Sequence, residues 1–216
     1  MFVFECLADG RSQKVETPVH QLIVAGWTGR DQAALLHHVE ELAAIGVPRP
    51  SSMPVFYRNA ATNVVQTDRL EVLGPDTSGE VEPFVLSLAD GLWVGVGSDH
   101  TDRKAETMGI ALSKQLCGKP IGKTLWRLDD IAAHWDQISI RAFATIGSNR
   151  VLYQDGKLAA MRTPSDLLSR LPQGSQLSPG TLMLCGTVGA IGGIRPAERF
   201  EMELEDPVLG RRMTHA

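Results

Sequence analysis

Cysteine is scarce and poorly placed for chemistry. Cys6, Cys117 and Cys185 are odd in number, far apart and in no C-x-x-C pattern, which excludes a disulfide framework and a thiolate zinc site and suits a reducing cytoplasm. No basic cluster runs longer than Arg211-Arg212 and the net charge is −4, so nucleic acid is not an expected partner. No window approaches the length and apolarity of a membrane span, and the opening MFVFECLADGR lacks the basic n-region and apolar length of a secretory signal. Linkers, low-complexity tracts and internal repeats are missing too, with 21 glycines and 12 prolines scattered over many short turns. What is left is an ordinary globular composition, 43% hydrophobic and 21% charged, in 216 residues that suffice for one substantial core.

The stretch that organises the chain is Ser78 to Arg103, SGEVEPFVLSLADGLWVGVGSDHTDR. Residues two apart on a strand share a face, with side chains roughly 6.5–7 Å apart, so Glu80 and Glu82 stand side by side. The Ala89-Asp90-Gly91 turn folds the second apolar run back on the first as a hairpin. Counting back from that turn brings Asp99 opposite Glu80 and Glu82, to within a residue. Three converging carboxylates repel one another and persist in a cleft when a cation neutralises them. Hard oxygen ligands in that number suit Mg²⁺ or Mn²⁺ better than Zn²⁺. The same spacing also fits an E-x-E on the solvated face of an edge strand.

Strands are predicted at Phe2–Leu7 and Val15–Ala25 around the Ala8-Asp9-Gly10 turn. A helix follows over about Asp31–Ile45, with Leu35, Val39 and Leu42 on one stripe and Gly46 as its stop. On it His38 and Glu41 are three apart, close enough for the carboxylate to orient the imidazole. His37 with Glu40 or Glu41 fits equally well, and a solvated polar face accounts for the same pairs. VPRPSSMP is an extended loop leading to a strand, Val55–Arg58, that ends in a cation. Val64–Leu73 alternates like a strand. A helix from Thr101 or Asp102 to about Leu116 would carry Ala105, Met108, Leu112 and Leu116 along one side, with Thr101 as N-cap. Its first amides would point back toward the carboxylates and hold an anionic group. Lys114, Lys119 and Lys123 are available to balance negative charge or bind an enolate. Later strands are predicted at Ser139–Ile146, Arg150–Gln154 and Leu182–Cys185. Turn signals fall at Gly147-Ser148-Asn149 and Asp155-Gly156, a helix over Thr163–Leu171 starts with Pro164 in its first turn, and a glycine loop occupies Gly186–Gly193. Phe200, Met202 and Leu204 alternate with Glu201, Glu203 and Glu205 in a half-exposed strand.

The order of these motifs resembles the fumarylacetoacetate hydrolase superfamily, in an outlying branch catalogued as a domain of unknown function, from about Gly26 to the C-terminus. HVEELAAIGVPRP is similar to the H-x-x-E helix and proline loop, VFYR to the next strand, SGEVEPFV to the E-x-E strand and GSDHTDR to the N-D-x-T-x-R-D signature. YQDGKLAAM is similar to a stretch bearing a substrate-facing glutamine, and LSPGTLMLCGTVGAIGG to the L-x-P-G-D-x-x-x-T-G-T-P-x-G-V-G segment. The resemblance implies His38 and Glu41 as the water-activating pair, Lys119 as the active-site lysine with Lys114 competing, and Glu80, Glu82 and Asp99 as ligands of Mg²⁺ or Mn²⁺. It implies substrate contacts from Arg58, Thr101, Arg103, Gln154, Gly186 and Thr187. It also implies an α+β fold, a mixed and mostly antiparallel β-roll with peripheral helices, and a homodimer. The whole of 1–216 is expected as a single domain, with 1–25 supplying strands that lead into a 26–216 core. The chain departs from the pattern at Arg58, where lysine is usual, at Thr181 for aspartate, at Val188 for proline, and in the tight hairpin between Glu82 and Asp99.

The resemblance implies a metal-dependent hydrolase or lyase that cleaves a carbon–carbon bond in a small 2-oxo acid or 1,3-dicarbonyl substrate. Decarboxylation, isomerisation or hydration would use the same enolate chemistry. The alternative of another class is a non-catalytic scaffold that binds a small acid, and it would have no use for His38.

Overall fold

The computed structural model describes residues 1–44, 49–172 and 174–216, the side chains at positions 34, 38, 41, 42 and 44 excepted. The larger of its two main sheets has eight strands in the order Arg11–Thr17, Phe2–Ala8, Thr124–Arg127, Gly91–Ser98, Val81–Leu88, Thr181–Leu184, Gln21–Gly26 and Val55–Asn59. Two neighbour pairs in it are parallel, 2–8 with 124–127 and 181–184 with 21–26. The others are antiparallel. The smaller sheet is antiparallel throughout, in the order Asn149–Lys157, Ser139–Ile146, Arg199–Asp206 and Arg211–His215. Helices are few and peripheral, Gln32–Ala44 being the longest at 13 residues. This is the expected α+β architecture. Among the described residues no helix is long and apolar enough to cross a membrane.

Alternation along the strands sorts the larger sheet into two faces. Ile23, Val81, Val85, Val94, Val96 and Met183 pack against Ile140, Ala142, Met202 and Leu204 of the smaller sheet. The intervening residues, Leu22, Val24, Phe84, Leu86, Trp93, Leu182 and Leu184, join Phe4 and Cys6 in a second core on the other face. Each large side chain buried this way contributes about 1.5–3 kcal/mol. Close packing there dictates glycine at position 95, where a Cβ would lie 2.2 Å from Phe84 Cζ. Glu80 and Glu82 share the parity of Phe84 and Leu86, and Asp99 that of Trp93. The carboxylates therefore belong to the face of the second core, at its open end.

Several expected elements differ. Val15–Ala25 is two strands, 11–17 and 21–26, broken at Pro18, which cannot donate to a ladder. Val64–Leu73 shrinks to Val64–Val65, paired with Lys119–Pro120; the next residue, Gln66, meets the strand Phe2–Ala8 through its side chain, accepting from the Val3 amide and donating to the Val3 carbonyl, both at 3.0 Å. Asp155-Gly156 is no turn: the strand Asn149–Lys157 runs through it, and a register shift between Ala142 and Phe143 takes up one extra residue. The helix expected over 102–116 is two short ones, Arg103–Glu106 and Ile110–Gln115. Its apolar stripe is largely on the surface, with Met108 80% exposed and Leu112 and Leu116 nearly half exposed.

Candidate metal centre

The hairpin ladder runs from Leu88–Gly91 at the turn to Val81–Ser98 at the open end. Glu80 and Asp99 face each other one rung beyond, where the Asp99 amide donates to the Glu80 carbonyl at 3.0 Å. One oxygen from each of Glu80, Glu82 and Asp99 lies within 4.8 Å of the others. Glu82 and Asp99 are buried, and Glu80 partly so.

Three cations surround this cluster. Arg103 Nη2 pairs with Glu80 at 3.0 Å and Nη1 with Glu106 at 3.0 Å, while Nε donates to Ser78 Oγ at 2.7 Å. Lys114 Nζ donates to Asp99 Oδ2 and stands 4.0 Å from Glu80 Oε2. Lys119 Nζ lies 2.9 Å from Asp99 Oδ1 and donates to the His100 carbonyl. That contact is an ion pair with the buried Oδ1.

The electrostatics differ from one carboxylate to the next. Burial, reinforced by the Asp99 and Glu80 charges, pushes the Glu82 carboxyl well above the usual range. Burial acts the same way on Asp99, but Lys114 and Lys119 outweigh it and hold Asp99 low. Burial and then the Lys119 and Arg103 charges push His100 down to about 4, leaving a neutral ring with Nε2 3.0 Å from Thr77 Oγ1. Converging hard oxygens, two of the three carboxylates buried, and a Glu82 that desolvation disfavours as a bare anion together fit a divalent cation.

The cluster opens on a cavity of about 630 Å³ whose walls include Trp27, Leu35, Tyr57, Arg103, Lys114, Gln154 and the 186–190 loop. Gly186 has φ +100°, and a Cβ there would fall 1.8 Å from Thr28 Oγ1. Its amide donates to Glu82 Oε2 at 2.8 Å, so the glycine orients one carboxylate directly. Gln154 accepts from the Val81 amide at 2.9 Å and donates to Thr187 Oγ1 at 2.8 Å, and Thr187 donates in turn to the Val81 carbonyl at 2.6 Å. These bonds fix the loop to the strand that carries Glu82.

A family model described as a protein of unknown function, DUF2848, matches residues 25–216. The chain belongs to this family. No curated protein matches it. Among solved structures it is similar to Cg1458 with inhibitor, at 17% identity and a TM-score of 0.66, covering 94% of this chain and 78% of that one. It is similar to 2-keto-3-deoxy-D-arabinonate dehydratase complexed with magnesium and 2,5-dioxopentanoate, at 15% identity and a TM-score of 0.64, covering 91% and 72%. It is also similar to an uncharacterized protein from Mycobacterium abscessus, at 13% identity and a TM-score of 0.57, covering 95% and 84%. At these identities the likeness carries the fold. The fold is in keeping with the resemblance to the fumarylacetoacetate hydrolase superfamily read from the sequence.

Of the residues expected at the site, Glu80, Glu82, Asp99, Arg103, Gln154, Gly186 and Thr187 line this cavity. Thr101 is wholly buried away from it, its hydroxyl donating to the Asp99 carbonyl at 2.9 Å. Arg58 is a correction: it is exposed and donates to Gln21 at 3.1 Å, because strand alternation turns Tyr57 inward instead. Lys119 is 0% exposed behind Asp99, while Lys114, which competes with it, reaches the cavity wall. The N-cap is Asp102, which accepts from the Ala105 amide at 2.9 Å, and the Arg103 amide donates to the Asp76 carbonyl. The helix start is thereby closed as an anion site. The side chains of His38 and Glu41 lie outside the described residues, and His37 is exposed. Trp27, Tyr57 and Glu106 line the cavity without having been singled out. Tyr57 was legible from the parity of its strand. Trp27 was not, since its left-handed φ of +58° is a conformation that sequence does not suggest for a bulky residue.

Proposed function

We propose that this chain is a divalent-metal-dependent enzyme of small 2-oxo acids or 1,3-dicarbonyl compounds, a hydrolase or lyase that cleaves a carbon–carbon bond. The observation that carries the reading is the meeting of three carboxylates within 4.8 Å on the wall of a 630 Å³ cavity that Arg103 and Lys114 also line. Mg²⁺ or Mn²⁺ held by Glu80, Glu82 and Asp99 would supply a Lewis acid for the oxygen on which enolate charge develops. Arg103 and Lys114 give the cavity a cationic wall for a substrate carboxylate. His38, oriented by Glu41, takes the proton of an attacking water in this reading. Its support is the three-residue spacing, together with Leu35 of the same helix lining the cavity. Gln154 and Thr187 hold the loop opposite the carboxylates, so that Gly186 keeps Glu82 aimed inward.

The test is turnover of acylpyruvates, oxaloacetate and related oxo acids with added Mg²⁺ or Mn²⁺. Wild type is expected to turn over, Glu82→Ala and chelated wild type are not, and His38→Ala loses turnover while keeping its response to metal. Turnover indifferent to chelation and to Glu82→Ala would overturn the reading. The similarity to a structure described as a dehydratase with magnesium and 2,5-dioxopentanoate favours a second reading, elimination of water from a 3-deoxy-2-oxo sugar acid. On that reading a sugar acid is consumed in the same screen and the acylpyruvates are not.

A further inference from the structure

Lys114 does not belong to the hairpin that supplies the carboxylates. It projects from the separate helix Ile110–Gln115, is 7% exposed, and reaches two of the three acidic groups, donating to Asp99 Oδ2 and standing 4.0 Å from Glu80 Oε2. The oxygens it engages belong to the cluster a divalent ion would use, and metal–oxygen bonds of about 2.0–2.2 Å require closer approach than an intervening ammonium permits. Two cations cannot share those oxygens at contact without strong repulsion.

We infer that Lys114 is an exchangeable counter-cation: it holds Asp99 and Glu80 together until a divalent ion takes their oxygens, then turns into the cavity and binds the anionic end of the substrate. The inference rests on the metal reading given above and adds a coupling between metal entry and substrate grip. Three features make the exchange feasible. Lys114 already forms part of the cavity wall, so it has space to move into. The Tyr57 ring, with its centroid 5.9 Å from Nζ, offers a face to the displaced ammonium. Lys119 stays 2.9 Å from Asp99 Oδ1, so that carboxylate is not left bare during the exchange. Lys119 cannot take the same part, since it is wholly enclosed.

The experiment is a calorimetric titration of metal-free protein with Mn²⁺, in wild type, Lys114→Met and Lys114→Arg, followed by pyruvate as anion probe at saturating Mn²⁺. Wild type must break a charge-assisted hydrogen bond to admit the ion, so Lys114→Met is expected to bind Mn²⁺ about 10- to 100-fold more tightly. Lys114→Arg, which keeps the charge, stays near wild type. Metal-free Lys114→Met is expected to melt below wild type, with the gap closing when both are loaded, and loaded Lys114→Met binds pyruvate more weakly than loaded wild type. Should Lys114→Met not fold, Lys114→Gln carries the same expectations. Equal Mn²⁺ affinity in wild type and the uncharged variants overturns the exchange and leaves the metal reading standing. Absence of Mn²⁺ binding in wild type and variants alike overturns both.

Discussion

Ser98 Oγ accepts the backbone amide of Glu80 at 3.0 Å. Glu80 lies one residue outside the hairpin ladder, which ends at the Val81–Ser98 rung, so a side chain stands in for the missing backbone acceptor. Ser98 is wholly buried. Ser98→Ala is expected to cost about 1–3 kcal/mol, the penalty of a donor left unpaired, and to shrink the thermal stabilisation given by Mn²⁺ because Glu80 loses its alignment with Asp99. Chemical denaturation with and without Mn²⁺ checks both parts. An unchanged midpoint would show that this bond does not position the ligand.

Lys119 is the cation whose loss should damage the fold rather than the chemistry alone. It is fully enclosed between Asp99 and the His100 carbonyl, and removing it leaves two buried oxygens without their cation and only Lys114 to balance Asp99. Lys119→Met is expected to lose about 3–5 kcal/mol of stability. A variant that melts with wild type but has lost turnover would instead make Lys119 a residue of the reaction.

How much could be read beforehand follows from where the signals are local. The two carboxylates at i and i+2, the Ala89-Asp90-Gly91 turn and the apolar runs on either side set the register of one hairpin to within a residue, so the approach of Asp99 to Glu80 and Glu82 was legible from Ser78–Arg103, but whether they face a cleft or solvent was not. Arg58 was misread because a motif position outweighed strand parity, which turns Tyr57 inward. Lys114 and Lys119 were indistinguishable because both precede or begin a short irregular segment. Only the pairing of Lys119–Pro120 with Val64–Val65, 55 positions away by the Lys119–Val64 register, encloses one and leaves the other on the wall. The split of the 102–116 helix was likewise hidden. Met108, Leu112 and Leu116 recur at helical spacing, yet Asp102 caps a single turn and Gly109 opens the next helix.

Gly186 follows Thr181–Leu184, a strand of the larger sheet, and reaches the cavity at a φ of +100° and in contact with Thr28. Gly186→Ala meets two penalties there, backbone strain of about 1–2 kcal/mol and a Cβ that would sit 1.8 Å from Thr28 Oγ1. Adding Thr28→Ala removes that oxygen but not the strain. The double variant is therefore expected to recover part of the lost stability, and the part it does not recover reports the backbone. A thermal melt of both variants measures this. Full recovery would mean that the loop adapts its φ and that the contact alone mattered.

Asp206, remote from the cavity, is a buried carboxyl expected to contribute to the response to acid. It is fully buried, with Oδ1 accepting from the Val208 and Leu209 amides at 3.0 and 3.1 Å and lying 3.0 Å from His134 Nε2, and with Oδ2 3.3 Å from Arg211 Nε. Arg211 stacks over the Trp126 ring at 4.6 Å. Burial works to raise this carboxyl, but His134 and the two amides outweigh it and hold it below its ordinary value. A carboxyl held low in the folded state contributes stability that is present above its unfolded pKa of about 3.9 and is lost as pH falls through the folded value. Asp206→Asn keeps an oxygen for the amides but turns a donor toward Arg211, which should cost about 1–3 kcal/mol near neutral pH. The gap between wild type and variant is expected to narrow below about pH 4, as protonation removes from wild type what the substitution has already removed. Urea midpoints measured from about pH 7 down to pH 3 test this, and a gap constant across that range would mean that Asp206 acts through packing and not through its charge.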